Sequence, residues 1–257
     1  MIRTVKATRY VTPLREGGSL PAIVEGDDLG TYVLKFRGAG HGPKALIAEL
    51  LAGELGRAMG LPVPELVFVD LDPAIGRSEP DPEIQYLIQA SAGVNLALDY
   101  LPGSFAFDPA ITPPPDEGLA SEIVCFDAYI TNVDRTARNT NMLIWHRKLW
   151  LIDHGSALYV HHGDAPIVPR AADPFPAIKD HVFLQLAIDL PGAARRLAAR
   201  LTPADIEAIT GLIPDSWLDP TISANARRAE YAEYLTKRLT ATDSFLEAAI
   251  DARSSLV

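Results

Sequence analysis

Residues 133–155 read VDRTARNTNMLIWHRKLWLIDHG. The first nine of these residues, VDRTARNTN, form a polar gap between an apolar run with helical spacing and an apolar run of strand type. Asp, Asn and Thr are ordinary residues of surface turns, so a plain turn is one interpretation. The other interpretation is a site that handles phosphoryl groups.

The apolar half of the stretch predicts a β-hairpin. Its residues indicate strands at 142–146 and 149–153, joined by a turn at Arg147–Lys148. Such a hairpin returns Asp153 to the side of Asn139. The chain is therefore expected to bring together two oxygen-bearing side chains that lie fourteen positions apart.

Asp134, Asn139 and Asp153 are the residues that this arrangement makes available for chemistry. Phosphoryl transfer needs a group that orients the acceptor hydroxyl and metal ions that bridge the phosphates. Mg²⁺ prefers oxygen ligands and keeps several waters, so one Asn and one Asp are a sufficient protein contribution. The pattern predicts that Asp134 reaches the acceptor and that Asn139 and Asp153 bind the metal.

Composition limits the classes of function. The chain has 257 residues, 48% of them hydrophobic, which is enough for one large domain or two packed lobes. Its net charge of −10 is not the footprint of a nucleic-acid-binding protein. Cys125 is the only cysteine, which excludes an intrachain disulfide and fits a reducing compartment. With no secretory signal and no apolar run of about 18 residues, we expect a cytoplasmic protein that does not enter a membrane.

The first ninety residues are rich in strand patterns, with one helix among them. TYVLKFR (31–37) alternates as a half-buried strand does, so Leu34 and Lys35 belong to opposite faces. A helix is expected between Pro43, which suits a first helical position, and Gly60, which suits the stop. Further strands are predicted in LPVPELVFVDLD (61–72) and EIQYLIQA (83–90).

The composition of the sequence changes in the second half. Residues 98–118 hold five prolines and two glycines, which indicates a long loop. Helical spacing then returns in 119–133, 203–213 and 225–252. We expect an α+β protein with a small β-rich lobe (1–91), a connector near residues 90–95, and a larger, mostly helical lobe (92–257), with a cleft between them.

Asp134-x-x-x-x-Asn139 followed by Ile152-Asp153-His154-Gly155 resembles the catalytic and metal-binding loops of the protein-kinase-like superfamily. The form of these motifs is most similar to HipA-like kinases, and next to phosphatidylinositol 3/4-kinase-type lipid kinases. AELLAGELGRAMGLPVPE (48–65) also resembles the HipA-like helix and following turn, so the similarity spans roughly residues 30–160. It implies a bilobal protein-kinase-like fold and ATP- and Mg²⁺-dependent transfer of the γ-phosphoryl group to a Ser or Thr hydroxyl of a protein.

The resemblance also implies roles for single residues. Lys35 matches the strand lysine that contacts the α- and β-phosphates, Val33 on the same face would lie against the adenine, and Glu49 matches the helix glutamate that pairs with this lysine. The catalytic aspartate is matched by Asp134 and the metal ligands by Asn139 and Asp153. Arg138 is a candidate for the positive charge near the transferred phosphoryl group, and Gln89, at the end of the strand predicted before the connector, is assigned to the nucleotide site.

The phosphate-binding loop has two candidates, because no G-x-G-x-x-G motif precedes Lys35. Gly17, Gly18 and Ser19 lie in REGGSLPAIVEG (15–26) instead, and HipA-like kinases also lack that glycine signature. Some HipA-like kinases phosphorylate themselves at a serine in this loop, which makes Ser19 a candidate modification site. The alternative is the glycine series at 38, 40 and 42, which opens a helix whose N-terminal N–H groups attract phosphate.

The lysine partner also has two candidates on the predicted helix. The apolar residues of that helix centre on the side of Glu54, whereas the spacing before GLPVPE favours Glu49. We favour Glu49, since a partner of Lys35 should face the cleft rather than the seam that packs into the core.

Other functions fit the same motifs. A kinase-like chain can be a nucleotide-binding pseudokinase that serves as an interaction module, although such chains usually lose one of the motif residues that are all present here. A small molecule or a lipid can replace the protein acceptor, and AMP can replace the phosphoryl group that is transferred. The resemblance further implies a separately encoded partner protein, since HipA-like toxins often work with a DNA-binding antitoxin.

Overall fold

The computed structural model describes residues 2–14, 20–40 and 42–256, so the candidates Gly17, Gly18 and Ser19 lie outside the described residues. The strands are β1 (Thr4–Pro13), β2 (Ala22–Gly26), β3 (Thr31–Lys35), β4 (Leu66–Leu71), β5 (Gly93–Asp99), β6 (Phe105–Ala106), β7 (Met142–Trp145) and β8 (Lys148–Leu151). The α-helices are α1 (Gly42–Ala58), α2 (Pro82–Ala90), α3 (Glu117–Tyr129), α4 (Leu190–Arg200), α5 (Pro203–Thr210), α6 (Ala224–Thr240) and α7 (Thr242–Ser254). The predicted α+β organisation, with a β-rich first part and a helical second part, is confirmed.

Five strands form a closed barrel in the order β1-β2-β3-β5-β4, in which only the β1–β4 pair is parallel. The alternation predicted for β3 is present. Tyr32 and Leu34 are buried in the barrel core, whereas Val33 and Lys35 lie half-buried on the opposite face. The barrel thus fills its own interior and turns Lys35 outward, away from that apolar core.

Helix α1 follows β3 directly but packs into the core of the helical part. Gly42, with φ +62°, begins the helix, and Gly60, with φ +80°, lies just beyond its end. The buried face of the helix, which includes Leu50 and Leu51, joins the same apolar cluster as α3. The helix therefore connects the barrel to the rest of the molecule and can carry a side chain to the boundary between them.

Residues 82–90 form helix α2, so the strand predicted at 83–90 is wrong. Asp81 caps the helix by accepting a hydrogen bond from the Glu83 N–H, and Pro82 occupies the first turn. Ile84, Leu87 and Ile88 are buried at helical spacing against the barrel core. Three buried positions at i, i+3 and i+4 outweigh the strand-like composition of this segment.

Strand β5 pairs with β3 and β4 and so completes the barrel, although the sequence-based division placed residues 92–99 in the second lobe. The reason is that α2 takes the place of the predicted strand, and the fifth barrel strand comes after it. We therefore place the division between the two parts after Asp99.

The predicted hairpin is present as β7 and β8, with a turn at His146–Arg147 rather than at Arg147–Lys148. Both turn residues have positive φ, 48° and 63°, as a two-residue turn with the twist of a hairpin requires. A third strand, β6, pairs with β7 from within the segment predicted as a loop. Among the described residues, no helix is long and apolar enough to cross a membrane.

Candidate active site

Lys35 lies at the centre of a charged cluster that joins the barrel to the helical part. Its Nζ is 2.6 Å from Glu49 Oε2 on α1 and 2.6 Å from Asp153 Oδ1, just after β8. We name Lys35, Glu49, Asp153 and the neighbouring His154 the Lys35 cluster. A strand, the helix that follows it and a segment 118 positions later thus meet at one ammonium group.

Glu49, and not Glu54, is the helix carboxylate that contacts the strand lysine. The Glu49 side chain is 1% exposed, and Glu54 pairs instead with Arg57 of its own helix at 3.2 Å. Burial alone would raise the pKa of Glu49, but Lys35 and then His154 lower it to about 2. Burial would likewise lower the pKa of Lys35, and the two carboxylates reverse this and raise it. The pair is therefore ionised at neutral pH.

His154, the residue after Asp153, is fully buried. Its ring approaches the Glu49 carboxylate oxygen that does not contact Lys35. Its Nδ1 is 3.6 Å from Glu49 Oε1, beyond a normal hydrogen bond. Neither ring nitrogen, nor Glu49 Oε1, has a hydrogen bond within the described part of the chain. Asp153 thus contacts Lys35, and the next residue, His154, approaches Glu49. A small movement would give His154 a hydrogen bond to Glu49.

The polar gap at 133–141 forms a compact loop around the Asp134 carboxylate, and we name it the catalytic loop after its expected role. Asp134 Oδ2 accepts hydrogen bonds from Asn139 Nδ2 at 2.9 Å and from Asn141 Nδ2 at 3.2 Å. The Asn141 amide also lies 3.4 Å from the backbone oxygen of Asp153. One side chain, Asn141, thereby links the loop to the Lys35 cluster.

Asn141 and Asp153 both adopt the left-handed backbone conformation, with φ of 49° and 55°. Asn and Asp accept this region more readily than other residues with a side chain, at a cost that the surrounding structure must offset. Both lie where the hairpin meets the catalytic loop. The unusual backbone therefore occurs where the loop contacts the segment that carries Asp153.

Beneath the catalytic loop, a buried ion pair joins Arg135 to Asp127 of α3. Arg135 Nε is 2.5 Å from Asp127 Oδ2, and both side chains are fully buried. Asn132 donates to Asp127 Oδ1 at 3.0 Å and accepts from the Asp134 N–H at 3.1 Å. Burial would raise the pKa of Asp127, but Arg135 keeps it below its usual value. Arg135 also donates to the Asn141 backbone oxygen at 2.7 Å, which closes a ring of contacts around Asp134.

The remaining candidates lie in less defined positions. Val33 shares the outer face of β3 with Lys35, as predicted. Arg138 is exposed in the catalytic loop. Gln89 is exposed in the last turn of α2 rather than on a strand, and its place in the nucleotide site stays a prediction.

The second glycine series leads from β3 into α1. The Gly38 N–H donates to Ser91 Oγ at 2.9 Å, and a Cβ at Gly38 would lie 2.7 Å from the Ala90 side chain. Gly38 is thus explained by close packing against the end of α2. Gly40 and Gly42 have open space around them, so a phosphate contact there stays a prediction.

The sequence pattern indicates no function for Asn141 or for His154. Nothing in the spacing of Asn141 shows that its amide reaches Asp134 and Asp153. His154 stands directly after the predicted metal ligand. That adjacency was the available signal, but its approach to Glu49 depends on how α1 packs.

Comparison with known proteins places this arrangement in a family. No curated protein matches the chain in sequence. In structure, the chain is similar to the Helicobacter pylori proinflammatory kinase CtkA, with a TM-score of 0.57 and 13% identity over 99% of both chains. It is also similar to the Golgi casein kinase, with a TM-score of 0.50 and 12% identity over 96% of this chain and 72% of that one. These similarities show a protein-kinase-like fold, and the family model described as HipA-like kinase matches residues 8–247. This chain therefore belongs to the HipA-like kinase family.

Proposed function

We propose that the protein is an ATP- and Mg²⁺-dependent kinase that transfers the γ-phosphoryl group to a Ser or Thr hydroxyl of a protein. The observation that carries the proposal is the contact of Asn141 with both Asp134 and Asp153. Through it, the residue suited to orient an acceptor lies beside the Lys35 cluster. Phosphoryl transfer depends on positioning and charge rather than on covalent chemistry by the protein, and this arrangement supports both.

The residues present fit a divalent metal. Asn139 turns its amide nitrogen toward Asp134, which leaves Oδ1 as the oxygen available to a cation. The Asp153 side chain is 48% exposed although it contacts Lys35, so it can exchange the ammonium group for a metal ion. When bound, Mg²⁺ would neutralise charge on the phosphates, and hard oxygen ligands of this kind are the ones it prefers.

Lys35 is proposed to bind the phosphates of ATP, with Glu49 fixing its position. A lysine in contact with two carboxylates is held by Glu49 when Asp153 turns to the metal, because the Glu49 contact is the more deeply buried. Val33, on the same face of β3, is placed to cover the base of the nucleotide. The barrel thereby supplies the nucleotide site from one strand face.

Asp134 is proposed to orient the acceptor hydroxyl and to accept its proton. Its Oδ2 already accepts bonds from two amides, which fixes the carboxylate and directs Oδ1 to the acceptor. Arg138, exposed in the same loop, is proposed to approach the transferred phosphoryl group. We further propose that the protein acts in the cytoplasm, which its single, buried cysteine supports, and that a separately encoded protein is its partner.

Incubation with ATP labelled at the γ- or the α-phosphate tests this function. With Mg²⁺ and casein as a protein acceptor, we expect label from the γ-position alone, recovered as phosphoserine or phosphothreonine. Asp134→Ala should abolish the transfer, and Asp251→Asn, an exposed carboxylate on α7, should leave it unchanged. Label from the α-position would show AMP transfer, label in a lipid extract would show a lipid kinase, and ATP binding without transfer would show a pseudokinase.

A further inference from the structure

His181, forty-seven positions after Asp134, reaches the ion pair beneath the catalytic loop. Its side chain is 2% exposed, and its Nε2 lies 3.0 Å from Asp127 Oδ2. Its Nδ1 accepts a hydrogen bond from the Phe183 N–H at 3.0 Å. Since Nδ1 accepts, the proton of the neutral ring is on Nε2, and His181 donates to Asp127.

The backbone around His181 also pairs with the catalytic loop. Thr136 and His181 form an isolated antiparallel bridge, and the Val182 N–H donates to the Arg135 oxygen at 3.1 Å. Arg135 and Thr136 are the two residues that directly follow Asp134. The segment at 181–183 therefore holds the loop on the C-terminal side of the catalytic aspartate.

The same segment supports the far end of the loop through an aromatic contact. The rings of Phe183 and Phe107 pack edge to face with centroids 5.4 Å apart. The Phe107 oxygen accepts from Thr140 Oγ1 at 2.9 Å, and its N–H donates to the Met142 oxygen at 2.9 Å. Both ends of the catalytic loop are thus connected to residues 181–183.

We propose that His181 is a positioning residue that fixes Asp134 through Asp127. Asp127 Oδ1 holds Asn132, which accepts the Asp134 N–H, and Asp127 Oδ2 holds Arg135 on the other side. His181 binds Oδ2 from outside this local segment. Its bond to Oδ2 opposes a rotation of the carboxylate that would displace Asn132 and Arg135, the residues on either side of Asp134.

The charges around His181 agree with a neutral donor. Burial lowers the pKa of His181, and Arg135 lowers it further, while Asp127 acts in the opposite direction. A neutral His181 adds no positive charge to the interior, so the negative charge of Asp127 and the positive charge of Arg135 balance each other. A second buried carboxylate is therefore not needed.

Substitution of His181 by Gln or by Asn tests the bond that its Nε2 makes to Asp127. A second buried histidine provides a control. In His181→Gln the amide nitrogen can replace Nε2 and reach Asp127, whereas in His181→Asn the side chain is too short. His161→Asn is the control, because His161 is also buried but contacts Tyr231 Oη at 2.9 Å instead of the loop. The inference rests on the proposed role of Asp134 in phosphoryl transfer, so one readout must not depend on activity.

For γ-phosphoryl transfer, we expect His181→Asn to lower kcat about tenfold to a hundredfold with little change in KM for ATP, as a misplaced catalytic group does. His181→Gln should recover most of that loss, and His161→Asn should keep the wild-type kcat. Equal kcat in His181→Asn and His161→Asn would overturn the proposal. A wild-type protein that transfers no phosphoryl group would instead count against the proposed function.

Hydrogen–deuterium exchange supplies the readout that is independent of activity. We expect faster exchange of the amides at 134–141 in His181→Asn than in His161→Asn, at concentrations of urea that give both variants the same free energy of unfolding. His181→Gln should exchange like the wild type. Unchanged protection of 134–141 in His181→Asn would show that His181 serves stability alone, and would overturn the positioning role.

Discussion

The Lys35 cluster and the Asp127 cluster (Asp127, Asn132, Arg135 and His181) both hold charged groups in the interior, yet they differ in how fully their polar atoms are bonded. Both oxygens of Asp127 accept hydrogen bonds, and Arg135 and His181 contact it from two sides. In the Lys35 cluster, Glu49 Oε1 and both nitrogens of His154 have no hydrogen bond among the described residues. Asp153 is also half-exposed.

This difference indicates which of the two clusters can rearrange when a ligand binds. A fully bonded buried network is rigid, because any movement leaves a polar atom without a partner. A cluster with unused donors and acceptors can accept a ligand at small cost. We infer that the Asp127 cluster holds the catalytic loop in place, and that the Lys35 cluster rearranges when nucleotide and metal bind.

The largest effect is expected for Asp153→Asn. Loss of the carboxylate that we propose as a metal ligand should lower the rate of γ-phosphoryl transfer by about 10³-fold, since charge stabilisation dominates this chemistry. The free energy of unfolding should change by less than about 1 kcal/mol, because Lys35 keeps Glu49 as its partner. Transfer rates and urea unfolding, with Asp251→Asn as the control, measure the two effects. A loss of unfolding free energy as large as the loss of transition-state stabilisation, about 4 kcal/mol for a 10³-fold slower rate, would remove the distinction between the clusters.

Arg135→Met should show the opposite pattern, with a large effect on stability. Removing one partner of a buried ion pair leaves Asp127 without its cation and should cost about 3–5 kcal/mol of unfolding free energy. Arg138→Met, in the same loop but exposed, should cost less than about 0.5 kcal/mol. Urea unfolding of both variants is the measurement. Equal stabilities would mean that the Asp127 cluster does not hold the loop.

Acid should weaken the Lys35 cluster in a defined pH range. The pKa of Glu49 is about 2 in the folded protein, below its ordinary value of 4.5. A lowered folded pKa contributes stability that is complete above about pH 4.5 and is lost as the pH falls toward 2. We expect Glu49→Gln to lose less stability than the wild type between pH 5 and 3, by roughly 2 kcal/mol when unfolding is followed by urea at each pH. Parallel curves for the two proteins would contradict the depressed pKa.

Glu54→Gln should have the smallest effect and serves as the matched control on the same helix. Its partner is Arg57 at 3.2 Å, a single i,i+3 pair near the surface. Such a pair contributes about 0.5 kcal/mol or less. Thermal unfolding and transfer rates should stay near those of the wild type. A clear loss of transfer activity in Glu54→Gln would return Glu54 to consideration as the functional glutamate.

The parts of the site that the sequence predicted are those with local signals. The spacing of Asp134, Asn139 and Asp153 and the alternation around Lys35 are readable along the chain. The strand predicted at 83–90 is a helix, because a short run of apolar and aromatic residues fits both periods and the cap at Asp81 is the local signal that favours the helix. Gln89 therefore lies on a helix, and its role in the nucleotide site stays a prediction.

Other features depend on contacts between distant segments and leave no pattern in one sequence. His181 meets Asp127 across fifty-four positions, and nothing in its neighbourhood marks it. The spacing already favours Glu49 over Glu54, but the contact of Glu49 with Lys35 is visible only in the packing of α1. Packing, rather than local propensity, decides which buried polar residue finds a partner.

The most direct test of the central claim is the Mg²⁺ dependence of ATP binding, measured by titration calorimetry. We claim that Asn139 and Asp153 hold a metal beside a nucleotide that Lys35 binds. In the wild type, added Mg²⁺ should tighten ATP binding, and in the Asn139→Ala, Asp153→Asn double variant this gain should vanish while weaker, metal-independent binding remains. Equal tightening by Mg²⁺ in both proteins, or no ATP binding by the wild type, would contradict the account.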